Sequence, residues 1–380
     1  MNIAILTEYF PESESAEITG GVENRCFHLV KELSKKHNIT VLCSKQKDQS
    51  KESQIFNAKI IRCGPINPYS NKGNIINRIR FANSLIKEGK KLKNIDIVHG
   101  TSFLTYLPAF KIGKKLNAKK IATWHETWID EWVKHKGIKT GLPGELYERK
   151  SIRKKWDKII TVSKFTKNKL LEKNSKCKNI EIVHNGVDLK KFKFKTKKFE
   201  DPTLCSIGRL TKQKRLDLVI KAMNKLTDDF PKLKLKAIGQ GDEINSLKLL
   251  AKELGLENNI DFLGFVKKHK DVLKTLKASH LYVSASELEG FGITVLEALA
   301  CEVPYVISNI KPYKEVTQNG KGGLIFEKDN LNDLYKKIKK LLENKNLYKQ
   351  KKKQTKKFIK NYEWENIAKK QEKIYQRLVQ

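Results

Sequence analysis

Short, predominantly apolar runs alternate with helical patterns along almost the whole chain, and that alternation leaves few folds open. Ile3-Ala4-Ile5-Leu6 begins the series. A loop rich in Glu and Ser follows, then Gly20-Gly21, after which Val22, Cys26, Leu29, Val30 and Leu33 keep helical spacing. Residues 39–43, 59–62, 95–99, 120–123, 158–162 and 180–184 read as further strands. Helices are expected over 74–93 and 102–116, after the Trp-rich stretch 124–132, and from Ser163. Strands without a polar face are covered on both sides, which is the condition of parallel βαβ units.

Asn185-Gly186-Val187-Asp188 closes this half, and the basic segment 189–201, which lacks a core period, reads as a linker. A second series then starts. Its strands are expected at 203–207, 233–238, 260–263, 281–283, 305–307 and 323–326, and its helices at 216–228, 244–254, 266–277, 293–300 and 331–342. The 380 residues suit two domains. The expectation is an α/β chain with a Rossmann-like domain over 1–188, a second over 202–360, and a helix over 361–380 packing back on the first. Open sheets of this kind bind ligands beyond the carboxyl ends of their strands.

The charge needs its own account. Lys and Arg number 78 against 42 Asp and Glu, a formal net charge of +36, which invites a nucleic-acid or membrane partner. The excess is nearly all Lys, and Asn and Ile are abundant beside it, as AT-rich codon drift would produce. Scarcity of Arg, the residue suited to bidentate base and phosphate recognition, argues against a specific nucleic-acid reader. The six Cys form no CxxC pair, which excludes a zinc ribbon or redox motif. No basic segment leads into an apolar signal core, and no run of ~18 apolar residues occurs. A cytoplasmic protein is expected, with any membrane contact peripheral.

Chemistry concentrates in Glu287-Leu288-Glu289-Gly290-Phe291-Gly292-Ile293-Thr294-Val295-Leu296-Glu297. A helix opening near Ile293 turns the amides of Gly292, Ile293 and Thr294 toward an anion. Glu297, one turn in, can accept from the paired hydroxyls of a ribose. Glu289, before the turn, can hold a sugar hydroxyl or stabilise positive charge. Arg209 and Lys214 lie five residues apart across a βα loop, a planar fork and a point cation that suit a diphosphate. Gly239-Gln240-Gly241-Asp242 ends the next strand in a tight turn.

Taken in order, these residues resemble the family 4 retaining glycosyltransferases of the GT-B fold, whose two Rossmann-like domains face a central crevice. That family's Gly-Gly-Val-Glu loop is matched by Gly20–Glu23, and its Asn-Gly-Val-Asp by residues 185–188. Its Gly-Arg-Leu and Lys-Gly/Arg-x-Asp elements are matched within 208–217, and its Glu-x7-Glu by Glu289 and Glu297. The resemblance runs from residue 2 to about 377. It implies that Arg209 and Lys214 hold the diphosphate of a UDP- or GDP-linked sugar, Glu297 the ribose and Glu289 the sugar. Gly20 and Gly21 would approach the phosphates, with Gly290, Phe291, Gly292, Ile293 and Thr294 around them. Gly239 would lie close to the donor, and Phe265-Val266 would contact the base. No cofactor and no metal is implied, since no acidic pair of DxD type stands beside the cations. Two departures stand out: Cys301-Glu302-Val303-Pro304 where a small residue and Gly often precede Pro, and Pro312-Tyr313-Lys314-Glu315 for a common Gly-Gly-Pro-Glu. Neither falls on the proposed chemistry, though the second bears on acceptor or donor-sugar fit.

His125 ends the fifth strand read in the first half, where family members similarly place a His near the transferred sugar. A general base is one role open to it, and a hydrogen bond to a sugar hydroxyl is another. His99 and His184 also end strands but carry no further mark. Trp124, Trp128 and Trp132 suit either a stacking wall for an acceptor or a packed lobe. Acceptor choice is expected from 11–19 and 126–144. The leading reading is a retaining transferase moving a hexosyl group to a glycan or lipid-linked acceptor. A GT-B-like nucleotide-sugar epimerase and a basic nucleic-acid or membrane-surface binding protein are the alternatives. Helix 74–93, with Arg78, Arg80, Lys87, Lys90, Lys91 and Lys93 beside Ile75, Ile79, Ala82, Leu85 and Ile86, is a candidate contact with an anionic membrane surface.

Overall fold

In the computed structural model, which describes residues 1–15, 18, 20–67 and 75–380, the alternation of strands and helices becomes two separate sheets. The first run comprises β1 (Asn2–Leu6), α1 (Gly21–Leu33), β2 (Asn38–Lys45), β3 (Glu52–Ile55), β4 (Ala58–Ile66), α2 (Ile75–Gly89) and β5 (Ile97–Gly100). It continues with α3 (Tyr106–Leu116), β6 (Lys119–Trp124), α4 (Trp132–Ile152), β7 (Lys158–Thr161), α5 (Lys164–Lys173) and β8 (Ile180–Ile182). The sheet order is β3-β4-β2-β1-β5-β6-β7-β8. Alternation along β1 decides the layers. Ile3 and Ile5 join a core with Cys26, Val30 and Leu33 of α1, whereas Ala4 and Leu6 join one with Phe81, Leu85 and Ala109 on the other face.

Three features depart from the sequence expectation. β3 pairs antiparallel with β4, so the sheet is not wholly parallel, and His125 follows its sixth strand rather than its fifth. Only Ile55 of β3 is buried, so no apolar run marks the strand; short and polar, it blunts the sheet edge. α2 ends at Gly89, four residues before the expected Lys93, and Asn74 lies outside the described residues. A Cβ on Gly89 would come within 2.4 Å of Ile112 Cδ1, so the bare glycine permits close packing on α3. Helix α4 is broken at Gly137, whose φ of 68° only glycine adopts freely.

The second run comprises β9 (Thr203–Ile207), α6 (Leu216–Asp229), β10 (Lys234–Ile238), α7 (Ile244–Glu253), β11 (Ile260–Gly264), α8 (His269–Ala278) and β12 (Leu281–Ser284). It ends with α9 (Ile293–Ala300), β13 (Tyr305–Ser308), α10 (Lys311–Val316), β14 (Gly323–Phe326), α11 (Leu331–Glu343) and α12 (Lys345–Phe358). All pairs are parallel, in the order β11-β10-β9-β12-β13-β14. The chain moves outward from β9 to β11 and then restarts at β12 on the other flank. A crevice therefore opens at the carboxyl ends of β9 and β12. α10 and α12 were not expected. α12 buries only Thr355 and Phe358 among many lysines and so shows no apolar period. α8 begins at His269, three residues after the expected Val266.

Helix α13 (Trp364–Val379) returns to the first unit, which spans residues 1–185 and 364–380; the second spans 186–363. Trp364, Ile367, Ala368, Ile374 and Tyr375 enter the core of Ile3 and Ile5, and Trp364 stacks on His28 at 5.2 Å. Residues 189–201, expected as a linker, instead belong to the second unit. Phe192 is buried, its carbonyl accepts from Lys277 Nζ at 2.8 Å, and the Phe199 amide donates to Ala278 O at 3.0 Å.

Candidate active site

At the β9/β12 switch point two loops are tied together. The Glu287 amide donates to Gln213 O at 2.9 Å. Arg215, held at φ 50°, spreads its guanidinium across Asp217 (3.1 Å), Glu287 (2.8 Å) and Asp329. A planar fork can bridge carboxylates from three segments where an ammonium could not. This brace fixes the neighbouring Lys214, whose Nζ lies 2.5 Å from Glu289 Oε1. Ser286 Oγ and Tyr313 OH also donate to Oε1, each at 3.1 Å. Three donors thus hold one oxygen of Glu289, in a side chain that keeps 18% of its surface exposed.

Tyr313 corrects the expectation that the 312–315 departure stands apart from the chemistry. Its ring is fully buried, its hydroxyl meets Ser284 Oγ at 2.8 Å, and a Cβ on Gly292 would lie 2.9 Å from it. Burial and the Glu289 charge hold the phenol well above its ordinary pKa, so it stays a donor. Gly292 caps α9 with φ 102°. The first amide bonds of that turn run from Val295 and Leu296 to Gly292 O, which leaves the amides of Ile293 and Thr294 facing outward. Thr294 Oγ1 is held by Tyr282 OH at 2.7 Å.

One turn into α9, Glu297 is 8% exposed and its Oε1 accepts from His269 Nε2 at 2.9 Å. Sequence reasoning missed His269, because a single His at the start of a helix carries no signal until the fold brings it beside a carboxylate 28 residues away. Arg209 is exposed on the β9–α6 loop. Gly239 requires glycine: at φ 139° a Cβ would overlap Gly208 O at 1.8 Å, and its amide donates to Gly264 O at 2.9 Å. The β11–α8 loop carries half-buried Val266 and Phe265, the latter 54% exposed. Gly290 and buried Phe291 complete the segment before α9.

In the first unit, Gly20 is the N-cap of α1, with Gly21 exposed at its first turn. His125 Nε2 lies 3.0 Å from Thr101 O, which assigns the proton to Nε2 and leaves Nδ1 as an acceptor. Burial, with Arg25 nearby, lowers its pKa to about 3. A neutral imidazole this reluctant to protonate is a poor general base and a sound hydrogen-bond acceptor. His99 is structural: buried, bonded to Tyr375 OH and Thr123 Oγ1, and likewise lowered to about 3 by burial. The tryptophans form a packed lobe. Trp124 is fully buried on Tyr106, and Glu148 accepts from Trp124 Nε1 (3.3 Å), Trp132 Nε1 (2.7 Å) and the Trp128 amide (3.2 Å).

Glu148 supplies a test of this lobe. Burial raises its pKa from 4.5 to about 7, so between those values the folded state holds a proton that the unfolded state has lost, and stability falls as pH rises. His99 and His125 act oppositely. Their folded values of about 3 lie below 6.5, so stability falls as pH drops. Glu148→Gln removes the contribution that offsets the two histidines. Its Tm should fall more steeply than wild type between pH 7 and 4.5. Parallel Tm–pH curves would contradict the buried carboxyl.

Comparison with known proteins identifies the chain. The family model for glycosyl transferases group 1 matches residues 188–358, and that for glycosyltransferase family 4 matches residues 19–191. An uncharacterized glycosyltransferase of Methanocaldococcus jannaschii is 31% identical over 300 residues, covering 76% of this chain and 69% of its own length. The chain is a family 4 glycosyltransferase. An alpha-monoglucosyldiacylglycerol synthase of Streptococcus pneumoniae is 26% identical over 332 residues, 82% of this glycosyltransferase and 72% of that one. The GT-B fold is shared with sucrose-phosphate synthase from Thermosynechococcus elongatus (TM-score 0.80, 18% identity, 99% and 98% of the two chains). It is shared too with Anabaena HepE, solved with UDP and glucose (TM-score 0.76, 14% identity, 99% of each chain). In this glycosyltransferase Lys214, Glu289, Gly292, Thr294 and Glu297 converge on one switch point, whereas His125, Gly20 and Gly21 belong to the other unit.

Proposed function

We propose that the glycosyltransferase moves a hexosyl group from a UDP- or GDP-linked sugar to a glycan or lipid-linked acceptor with retention of anomeric configuration. The observation that carries this reading is Glu289, whose Oε1 is held by Lys214, Ser286 and Tyr313 just ahead of the glycine-capped N-terminus of α9. Sugar and diphosphate groups find their partners already in place, so little reorganisation is left for the transition state. Arg209 and Lys214 neutralise the diphosphate as the C1–O bond breaks, with Val266 beside the base, Gly239 close to the donor and Glu297 on the ribose. The departing phosphate oxygen takes the acceptor hydroxyl's proton, and the acceptor oxygen bonds C1 on the face just vacated. Because these side chains supply the positive charge, the reaction needs no metal. His125 accepts a sugar hydroxyl at Nδ1, and the turn at Gly20 and Gly21 approaches the phosphates.

A separate observation supports a lipid-linked acceptor met at a membrane surface. α2 packs through Phe81 and Leu85 but leaves Ile75, Ile76 and Ile79 exposed beside Arg78, Arg80 and Lys87. Such a helix can rest on anionic lipid, peripheral to the inner face of the cell membrane. Among the described residues no helix is long and apolar enough to cross a membrane. The relative whose name specifies glucosyldiacylglycerol synthesis is in keeping with a lipid acceptor. A thermal-shift panel of nucleoside diphosphates and their sugars tests the donor assignment: UDP or GDP and its cognate sugar should raise Tm. A panel in which neither diphosphate stabilises the protein would contradict it.

A further inference from the structure

Outside the switch point, one feature of the first unit is built like a binding site. A cleft of ≈ 650 Å³ lies against β4 and α2, and Lys45, Lys51, Arg62, Arg80 and Lys87 line it. Among the described residues Glu88 is the one acid in its lining, and Lys91 already pairs with Glu88 at 3.0 Å. Arg62 is the informative residue. It is 3% exposed, and Nη1 donates to Ser53 Oγ at 2.8 Å and Ser50 O at 3.3 Å. Its buried Nε has no partner, and no described carboxylate pairs with its charge. A buried cation without a counter-ion is costly, and an anion entering the cleft would remove that cost.

The flank of the cleft says what carries the anion. Ile76, Ile79, Arg80, Asn83, Ser84 and Lys87 recur at three- and four-residue intervals, so one face of α2 runs from exposed isoleucines to cleft-lining polar groups. Ile66, 51% exposed, ends β4 close by in sequence to the cleft residues Gly64 and Pro65. A free phosphate would have no use for the apolar rim; a lipid would use both. The lowered pKa of Glu88, caused first by Lys91 and also by Lys51 and Lys87, is consistent with a positive potential there.

We propose that this cleft binds the phosphate of an anionic lipid, with Arg62 reaching it from within and the isoleucines meeting the acyl region. The inference rests on the membrane reading above and narrows it to a discrete site.

Calorimetry with dioctanoyl phosphatidic acid as monomer, in excess of UDP or GDP, whichever raises Tm, to fill the donor site, tests it without a bilayer. The protein should bind this lipid about tenfold or more tighter than dioctanoyl phosphatidylcholine. Lys51→Gln combined with Arg80→Gln, both at exposed positions, should weaken binding about tenfold or more. Arg62→Gln should match that loss, with a normal melting curve as its control. Inorganic phosphate should compete weakly. Equal affinity for the two lipids, undiminished binding by the double variant, or binding of inorganic phosphate as tight as that of the lipid would each overturn the site. So would a short single-stranded RNA that binds the cleft more tightly than the lipid. Sedimentation with phosphatidylglycerol vesicles separates the two readings. Wild type that sediments but does not bind the soluble lipid retains the membrane reading and loses the site. Wild type that binds the soluble lipid but floats free does the reverse.

Discussion

Lys214→Ala should lower turnover by two to three orders of magnitude while leaving the fold intact, and Arg209→Ala should do nearly the same. Negative charge on the diphosphate grows as the glycosidic bond breaks, so these cations act more strongly in the transition state than on the bound donor. Loss of one preorganised charged contact costs roughly 3–4 kcal/mol of barrier. Lys214 is already positioned by Glu289 and by the Arg215 brace, so this cost is not softened by disorder in the resting site. Arg209, on the exposed loop, is free to close on the ligand. Steady-state rates at saturating donor measure the effect, with melting curves as the control. Turnover within about threefold of wild type for both variants would contradict their role.

The second large effect separates the two glutamates. Glu297→Gln should weaken nucleoside diphosphate binding by about tenfold or more, because a charge-assisted hydrogen bond contributes ~1.5–3 kcal/mol. A ribose contact is equally good before and during reaction, so kcat should change little. Glu289→Gln should leave diphosphate affinity near wild type and depress kcat, as expected of a carboxylate that in the proposed reaction meets the sugar where positive charge develops. Calorimetry for binding and steady-state kinetics for turnover read the two effects apart. If Glu289→Gln alone weakened diphosphate binding, the roles would have to be exchanged.

What the sequence disclosed, and what it concealed, follows from the range of the interactions. The tandem sheets were legible because β1, β5, β9 and β12 are short, mostly apolar runs between helical patterns, and the turn at Gly292 because a glycine pair interrupts strand and helix patterns. Edge strand β3 and Lys-rich α12 have no such period. Lys214 and Glu289 were both picked out, but they stand 75 residues apart in sequence, and their direct contact depends on the pairing of β9 with β12. Tyr313 looked like an incidental departure, and only packing against Gly292 and Glu289 shows that it sets the carboxylate's position. Arg62 gave no signal at all. Its meaning lies in a missing partner, which a sequence cannot display.

The most direct measurement follows the anomeric carbon. The enzyme is incubated with the α-linked nucleotide sugar that raises its Tm, together with an acceptor and excess EDTA, and the configuration of the new glycosidic bond is read by NMR from its C1–H1 coupling. The proposed reaction, in which Arg209 and Lys214 carry the diphosphate charge and the acceptor enters on the departing face, predicts an α-linked product formed at an undiminished rate with the chelator present. A β-linked product, or transfer abolished by EDTA, would contradict the account.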